Sequence, residues 1–400
     1  MDKFNARLSE ATVPGSDTVH AVITAVVDKD GNYIHKSHHG HNGTSPTASS
    51  TTFSQTLTLA SCTKLITSIT ALQIVERGLI TLDEPLDKHL PELSSQPIIT
   101  PKGDDAFNLT PSTKSITLRH LLTHTSGAAY EFMSPTLLPL WRQSRGEPPT
   151  PLSTDGIVTT SYAMPRLFEA GCGWMYGPGL DWAGLLVARL TGQTFESYIE
   201  ENISQPLGIT TFTYHLSLKP EVGENLVQMV TRQEDGRLEE SQTPFFPEPE
   251  SEAGGANMYG NVPDYTRVLA DLLKDSPVLL KKETADLLFT PQFEEGSLPL
   301  KDLYENHATS YRPMVGGEPK GVVRNHGLGG LVVMEDIVRE AYYKPKGTLT
   351  WSGMPNLLWS INREKGLALI FATQVLPFED VKVKELWWAF ENAVWSRLAK

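Results

Sequence analysis

The chain has few cysteines, fewer basic than acidic residues and no long apolar run, and each shortage excludes a class of protein. Its 400 residues contain two cysteines, Cys62 and Cys172, which are too few for a disulfide framework and form no C-x-x-C zinc pair. The 34 Lys and Arg residues face 47 Asp and Glu residues, and the formal net charge of -13 repels phosphate backbones and anionic membrane surfaces. We therefore expect neither a nucleic-acid nor a membrane partner.

The sequence predicts no targeting segment. The N-terminal region contains no apolar stretch of signal-peptide length, and no run of about 18 apolar residues occurs elsewhere. Because two isolated cysteines suit a reducing compartment, the sequence predicts a cytoplasmic protein. The N-x-[ST] sequons at Asn42, Asn108 and Asn202 are then expected to remain unmodified, since nothing directs them to the glycosylation machinery.

Several common catalytic motifs do not occur. There is no G-x-S-x-G elbow, no G-x-x-x-x-G-K-[ST] phosphate loop and no H-E-x-x-H zinc helix. Four histidines within residues 35–41 resemble part of a metal box, but Asn42 and Gly43 stand where further ligands would be needed. A solvated strand end or loop is the better interpretation, and we expect no metal and no organic cofactor.

Strand patterns occur near both ends of the chain. Residues 21–35 contain two apolar runs joined by an Asp-Gly turn signal, which predicts a hairpin. Three further strand-like runs begin at Gly347, Asn356 and Gly366, which is the pattern of a meander. Residues 379–398 carry apolar side chains at helical spacing, which predicts an amphipathic helix that covers a sheet.

Helical periodicity dominates the middle of the chain, over residues 61–77, 117–124, 181–191, 195–203 and 263–273. Strands at both ends with helices between them predict an α+β fold whose termini meet in one antiparallel sheet flanked by helices. We expect a sheet lobe of residues 1–85 and 205–400, a mainly helical inserted lobe of residues 86–204, and an active site at their junction. Pro-rich residues predict long surface loops over 101–111, 145–154 and 244–255.

One segment carries a nucleophile pattern. Ser61-Cys62-Thr63-Lys64 follows a strand-like run and opens an apolar helix. At a helix N-terminus, unpaired backbone N–H groups and the positive end of the dipole favour developing negative charge on a serine. Lys64 follows one turn later on the same face, where it can act as a base. The alternative, which this segment alone leaves open, is a plain N-cap serine beside a solvated lysine.

The surrounding sequence resembles the serine β-lactamase (class C) and penicillin-binding-protein-like hydrolases, in which S-x-x-K opens a helix. The resemblance continues, in order, through ERGLITLDEPL, ITLRHLLTHTSG, YGPGLDWAGLLVARLTG and GGANMYGNVPDYTRVLADLL, and covers most of the chain. Among the branches of this family, the sequence of these segments is most similar to that of the fungal lovastatin-type acyltransferases, and bacterial class C-like esterases come next. The resemblance implies a serine β-lactamase-like fold.

The resemblance also implies roles for individual residues. Tyr176 matches the tyrosine of the family's Y-x-N motif and would relay protons between the nucleophile, the lysine and the incoming or leaving group. Pro178 stands where that motif has asparagine, and Trp351 replaces the lysine of the K-T-G strand. In the family, that asparagine helps hold the side chain of a β-lactam, and that lysine pairs with the carboxylate of penicillin-like substrates. Both departures therefore argue against antibiotic hydrolysis. W-x-G is instead the form found in esterase-like branches.

An oxyanion hole is implied by the same comparison, formed by the backbone N–H groups of Ser61 and Met354, with Gly353 permitting close approach of the strand. His326 invites a triad interpretation with Ser61, but Lys64 and Tyr176 already fill the base role, so a structural or pocket-edge histidine is expected. Core packing is the alternative for every aromatic candidate. The predicted substrate-binding residues are Trp351, Ser352, Gly353, His326, Trp174, Phe378 and Tyr259.

These observations predict a serine acyltransferase, or transesterase, that works through an acyl-Ser61 intermediate. The resemblance implies a thioester or ester donor, with an acyl-carrier protein or polyketide synthase as a carrier to test, and a hydroxylated natural product of secondary metabolism as acceptor. A carboxylesterase with the same residues is the first alternative. A catalytically silent ligand-binding relative is the second, and the intact Ser61, Lys64 and Tyr176 argue against it.

Overall fold

The fold is described from a computed structural model that covers residues 1–103, 105–149, 157–305 and 311–398. The strands are β1 (Ala21–Asp28), β2 (Tyr33–Gly40), β3 (Thr56–Thr58), β4 (Ile98–Pro101), β5 (Phe107–Thr110), β6 (Val230–Arg232), β7 (Leu238–Glu240), β8 (Tyr259–Asn261), β9 (Arg324–His326), β10 (Leu331–Val333), β11 (Ile337–Arg339), β12 (Tyr342–Lys344), β13 (Leu349–Gly353), β14 (Leu357–Asn362), β15 (Leu367–Ala372) and β16 (Val375–Leu376). The α-helices are α1 (Asp2–Ala11), α2 (Thr63–Glu76), α3 (Pro91–Ser94), α4 (Leu118–Leu122), α5 (Leu137–Ser144), α6 (Val158–Ser161), α7 (Gly179–Thr191), α8 (Phe195–Ile199), α9 (Gln205–Leu207), α10 (Pro220–Gly223), α11 (Val262–Leu273), α12 (Lys282–Phe289), α13 (Leu298–Glu305) and α14 (Val381–Arg397).

The two ends of the chain meet in one seven-stranded antiparallel sheet, as the strand patterns predict. Its strand order is β2-β1-β15-β14-β13-β10-β9, and the N-terminal β1 pairs with the C-terminal β15 from Ile23 opposite Ala372 to Asp28 opposite Leu367. The predicted hairpin is β1-β2, and the predicted meander is β13-β14-β15. The α+β fold class is therefore confirmed.

Helices cover the central strands. Every residue of β14 and β15 is buried, which is typical of strands with both faces covered. The helices α11 and α14 both pack against β15, and α14 is the predicted C-terminal amphipathic helix. The N-terminal helix α1, which the sequence reasoning missed, packs against α14 and buries Phe4 and Leu8.

The middle of the chain is mainly helical, and α2 lies at its centre. All but two of the α2 residues are buried, because α7, α8 and α12 pack around it. The boundaries expected for the sheet lobe (residues 1–85 and 205–400) and the helical lobe (residues 86–204) remain a prediction. Among the described residues, none of the helices combines the length and apolar character required to cross a membrane.

The three Pro-rich segments differ from one another. Residues 101–111 were expected to be a loop, but β4 and β5 form a short hairpin there, because backbone pairing from Ile98 opposite Thr110 satisfies the polar groups. Residues 150–154 of the second segment lie outside the described residues. Residues 244–255 contain no helix or strand, as predicted, and they contact the site described below.

Candidate active site

Ser61 lies in a 3₁₀ turn, Ala60–Cys62, that leads directly into α2. Ala60 before it has a φ of 44°, in the left-handed region that a residue with a Cβ rarely adopts. Such strain is maintained only where the surrounding packing fixes the backbone, and it concentrates at functional sites. The turn brings Ser61 to the edge of a cavity, while its neighbour Cys62 is fully buried.

The predicted nucleophile, base and relay residues meet at one point. Lys64 Nζ donates to Ser61 Oγ at 3.2 Å, and Ser61 Oγ and Tyr176 Oη are 2.6 Å apart. Lys64 is buried, with 5% of its surface exposed, and its Nζ also lies 4.8 Å from the centre of the Tyr176 ring. The arrangement can move a proton from the serine hydroxyl to either neighbour as the oxygen attacks a carbonyl.

Lys64 has two further partners that the sequence reasoning missed. Its Nζ donates to Tyr130 Oη at 3.1 Å and to the carbonyl oxygen of Gly255 at 2.7 Å. Tyr130 Oη in turn donates to Asp181 Oδ2 at 2.6 Å, and the Gly255 N–H donates to Asp181 Oδ1 at 3.0 Å. Asp181 lies in the YGPGLDW segment, where an acidic residue inside an apolar helix was the available signal.

Burial governs the protonation of this group. Desolvation raises the pKa of Asp181 above its usual value, although the Lys64 charge and the hydrogen bonds from Tyr130 and Gly255 act in the opposite direction. Desolvation, together with the Asp181 charge, raises the pKa of Tyr130 well above its usual value. Tyr130 therefore keeps its hydroxyl proton and can bridge the carboxylate and the lysine.

Strand β13 forms the opposite side of the site. A Cβ built on Gly353 would lie 2.6 Å from the carbonyl oxygen of Leu59 and 3.2 Å from Cys62 Sγ, so only glycine lets β13 approach the turn that carries Ser61 this closely. Ser61 and Met354, the predicted oxyanion-hole residues, both line the cavity. Their joint role as oxyanion donors stays a prediction.

The cavity beside Ser61 has a volume of about 760 Å³. Its wall is mainly apolar, and ten of the 21 described lining residues are aromatic: Tyr130, Phe132, Tyr162, Trp174, Tyr176, Phe245, Phe246, Tyr311, Trp351 and Phe378. The loop of residues 244–255 contributes Phe245 and Phe246 to this wall. A cavity of this size and character suits a large apolar ligand with few polar groups.

The predicted substrate-binding residues divide into two sets. Four of them line the cavity: Trp174, Trp351, Ser352 and Phe378. Gly353, Tyr259 and His326 are not among its described lining residues. Tyr259 is buried in β8, where its hydroxyl donates to the carbonyl oxygen of Phe246 at 3.1 Å and so supports the wall from behind.

His326 lies behind Trp351, with ring centroids 5.7 Å apart. Its Nδ1 donates to the carbonyl oxygen of Gly327 at 2.6 Å, and burial lowers its pKa to about 4. Among the described residues no hydrogen bond joins His326 to Ser61, which agrees with a structural role. His124 stacks on the Trp351 ring at 5.9 Å and accepts a hydrogen bond from the Gly177 N–H, so this neutral pair of histidines supports the wall.

One group of side chains has the composition of a metal site but is already hydrogen-bonded. Glu196, His215 and Glu252 lie together. His215 Nδ1 is 2.5 Å from Glu196 Oε2, and its Nε2 donates to the carbonyl oxygen of Pro249 at 3.2 Å. Both ring nitrogens of His215 are therefore engaged, and the contact with Pro249 anchors the 244–255 loop.

Comparison with curated proteins finds fungal relatives. The acyltransferase calJ of Penicillium decumbens is 38% identical over 99% of this chain and 98% of its own length. A monacolin J acid methylbutanoyltransferase of Aspergillus terreus is also 38% identical, over 85% of this chain and 81% of its own length. A lovastatin esterase of Penicillium rubens is 34% identical over 85% of each.

Solved structures and family models give the same result. Unliganded simvastatin synthase from Aspergillus terreus superimposes with a TM-score of 0.86 and 32% identity, over 99% of this chain and 98% of that chain. The model of the Beta-lactamase family matches residues 14–391. The chain therefore belongs to the beta-lactamase family.

Proposed function

We propose that this protein is a serine acyltransferase, a transesterase that moves an acyl group from a thioester or ester to a hydroxyl group of a natural product. The observation that carries the proposal is the position of Ser61 Oγ, which lies 2.6 Å from Tyr176 Oη and 3.2 Å from Lys64 Nζ at the edge of a large aromatic cavity. The full-length similarity to fungal enzymes named as acyltransferases supports it.

In the first half-reaction, Ser61 Oγ attacks the carbonyl carbon of the donor and forms a C–O bond. The serine proton passes to unprotonated Lys64, directly or through Tyr176. The carbonyl oxygen becomes a transient oxyanion, for which the N–H groups of Ser61 and Met354 are the proposed donors. The C–S or C–O bond of the donor then breaks, and the leaving thiolate or alkoxide takes up the proton held by Lys64 and Tyr176.

The second half-reaction runs the same steps with an alcohol. The acceptor hydroxyl gives its proton to the Lys64–Tyr176 pair, its oxygen attacks the acyl carbon, and the ester bond to Ser61 breaks as Oγ recovers a proton. Water can replace the alcohol, which gives hydrolysis. The ratio of transfer to hydrolysis therefore depends on how well the cavity binds the alcohol and excludes water.

The cavity favours transfer. Aromatic side chains line the cavity beside Ser61, and the 244–255 loop adds Phe245 and Phe246 to the wall. A volume of about 760 Å³ has room for a polycyclic or polyketide alcohol beside an acyl chain. The similarity to a lovastatin esterase keeps hydrolysis of an apolar ester as the second candidate function.

The donor is proposed as an acyl thioester on a small thiol or on a carrier protein. The experiment is intact-protein mass spectrometry after incubation with a panel of acyl thioesters, with Ser61→Ala as control. We expect an acyl adduct on the wild-type protein only, which decays slowly in water and rapidly when a hydroxylated polycyclic or polyketide alcohol is added.

Two outcomes would contradict the transferase proposal. An adduct that decays fast in water, and that no alcohol in a broad set accelerates, would make the protein an esterase. Absence of any adduct with every thioester and activated ester in the panel would contradict both candidate functions and favour a ligand-binding role.

A further inference from the structure

Asp181 connects two of the groups that hold Lys64. It lies in the first turn of α7, and none of its surface is exposed. One carboxylate oxygen accepts from Tyr130 Oη at 2.6 Å, and the other accepts from the Gly255 N–H at 3.0 Å. The same hydroxyl and the same peptide unit each accept a hydrogen bond from Lys64 Nζ, at 3.1 Å and 2.7 Å. Asp181 therefore fixes both of these acceptors from the side away from the cavity.

The backbone is shaped to allow this arrangement. A Cβ built on Gly255 would lie 2.4 Å from Asp181 Oδ2 and 2.6 Å from Tyr130 Oη, so a larger residue would separate the three groups. Thr67 on α2 donates to the Gly254 carbonyl oxygen at 2.5 Å. The end of the loop is thus clamped between α2, which carries Lys64, and α7, which carries Asp181.

The buried carboxylate of Asp181 also needs compensation for its charge. A buried carboxylate is costly unless it is paired, and none of the ion pairs among the described residues includes Asp181. The nearest compensating charge is that of Lys64, reached through the Tyr130 hydroxyl. A buried charge whose two hydrogen-bond partners both contact the proposed base is placed to act on that base.

We propose that Asp181 is a positioning residue for acyl transfer, which holds Tyr130 and the Gly255 peptide so that the remaining tetrahedral direction of Lys64 Nζ points at Ser61. Besides its bond to carbon, the lysine nitrogen has three tetrahedral directions, which hold three N–H groups in the ammonium form and two N–H groups and a lone pair in the unprotonated form that accepts the serine proton. Tyr130 and Gly255 take two of them, and Ser61 Oγ lies in the third, at 3.2 Å. This inference rests on the proposed function, because it concerns the same serine and lysine.

The test is a double-mutant cycle on the acylation step. Asp181→Asn, Tyr130→Phe and the double variant are compared in stopped-flow acylation by a chromogenic ester, which separates the acylation rate constant from ester binding. We expect Asp181→Asn to lower the rate constant about 100-fold with unchanged ester binding, since Asp181 does not line the cavity. Tyr130→Phe should lower it about tenfold, and the double variant should resemble Asp181→Asn alone, because both changes interrupt one chain of contacts.

Asp271→Asn is the matched control. Asp271 is another fully buried aspartate, in α11, and it accepts hydrogen bonds from the backbone N–H groups of Val278 and Leu279. It should lose comparable thermal stability and keep the wild-type acylation rate. Wild-type-like acylation by folded Asp181→Asn, or independent effects of the two substitutions on the rate, would overturn the inference.

Failure of the variant to fold still leaves a decisive measurement. Tyr130→Phe keeps the ring and removes only the bridging hydroxyl, so wild-type acylation by this variant would also overturn the inference. The proposed function is judged separately on the wild-type protein. If wild-type Ser61 is acylated and Ser61→Ala is not, the proposed function stands whatever the outcome for Asp181.

Discussion

Tyr176 Oη and Ser61 Oγ lie 2.6 Å apart although 115 residues separate them in the chain. Tyr176 precedes α7 and Ser61 precedes α2, and these two helices pack against each other. The contact between the two hydroxyl groups is therefore set by the packing of two helices. It also places the phenol on the cavity side of the serine, where a donor or acceptor must enter.

We predict that Lys64→Ala and Tyr176→Phe each reduce acylation by about 100-fold or more, because each removes a partner in the transfer of the Ser61 proton. The double variant should be little worse than the poorer single variant, since both groups serve one step. Single-turnover acylation measures the effect, and circular dichroism checks the fold. Near-normal rates in either variant would assign the base role to another residue, and His326 is the first to test.

Penicillin-type substrates should be hydrolysed very poorly. Their carboxylate needs a cation, but Trp351 stands where the family has lysine, and no lysine, arginine or histidine is among the described cavity-lining residues. Pro178, in place of the family's asparagine, lies at the start of α7 and has no side-chain amide to bind a β-lactam. Spectrophotometric turnover of a chromogenic cephalosporin, compared with a p-nitrophenyl ester, checks this. Efficient cephalosporin turnover would contradict it.

The charge of the acceptor should also matter. Glu379 is the only charged side chain among the described lining residues, its Oε1 is buried without a hydrogen-bond partner, and burial raises its pKa. We expect a hydroxylated acceptor to react about tenfold faster as its methyl ester than as its free acid, because burial already disfavours the charged form of Glu379 and a second carboxylate in the same apolar wall adds to that cost. Glu379→Gln should remove that preference.

The measurement for Glu379 is kcat/KM for both forms of one acceptor, above pH 7, with a constant acyl donor. The opposite result is expected if Arg312, whose Nη1 lies 4.0 Å from Glu379 Oε2, attracts the carboxylate of the acceptor. A preference for the free acid that disappears in Arg312→Gln would show that Arg312 governs selection and that the Glu379 prediction is wrong.

Gly353→Ala should impair both stability and acylation. The added Cβ would meet the Leu59 carbonyl oxygen at 2.6 Å, so β13 must move away from the turn that carries Ser61. Overpacking of this kind costs about 1–3 kcal/mol of unfolding free energy. Gly223→Ala is the control, because its Cβ would meet only Leu216 at 3.5 Å. Urea denaturation and acylation rates distinguish the two, and equal behaviour would contradict the prediction.

The sequence by itself determined the helices and strands that are encoded by short-range patterns of apolar and polar residues. Apolar periodicity predicted β13 to β15, α2, α7, α11 and α14, and the spacing of Ser61 and Lys64 by one helical turn predicted their contact. The helix α1 carried such a signal as well, with Phe4 and Leu8 four residues apart, but it was missed. Local patterns are readable because backbone geometry fixes which neighbours share a face.

Only the tertiary structure decided which distant groups surround Lys64 and what the cavity contains. Tyr130 is 66 residues from Lys64, and Gly255 is 191 residues from it. The sequence predicted a helix that begins at Asp181, whereas α7 begins two residues earlier and Asp181 is buried in its first turn. No spacing rule predicts such contacts, because they depend on the packing of α2 against α7 and on the hydrogen bonds that join the 244–255 loop to both helices. The closeness of Ser61 and Lys64 is thus predictable from the sequence, whereas the distant groups that contact Lys64 are brought together only by the fold.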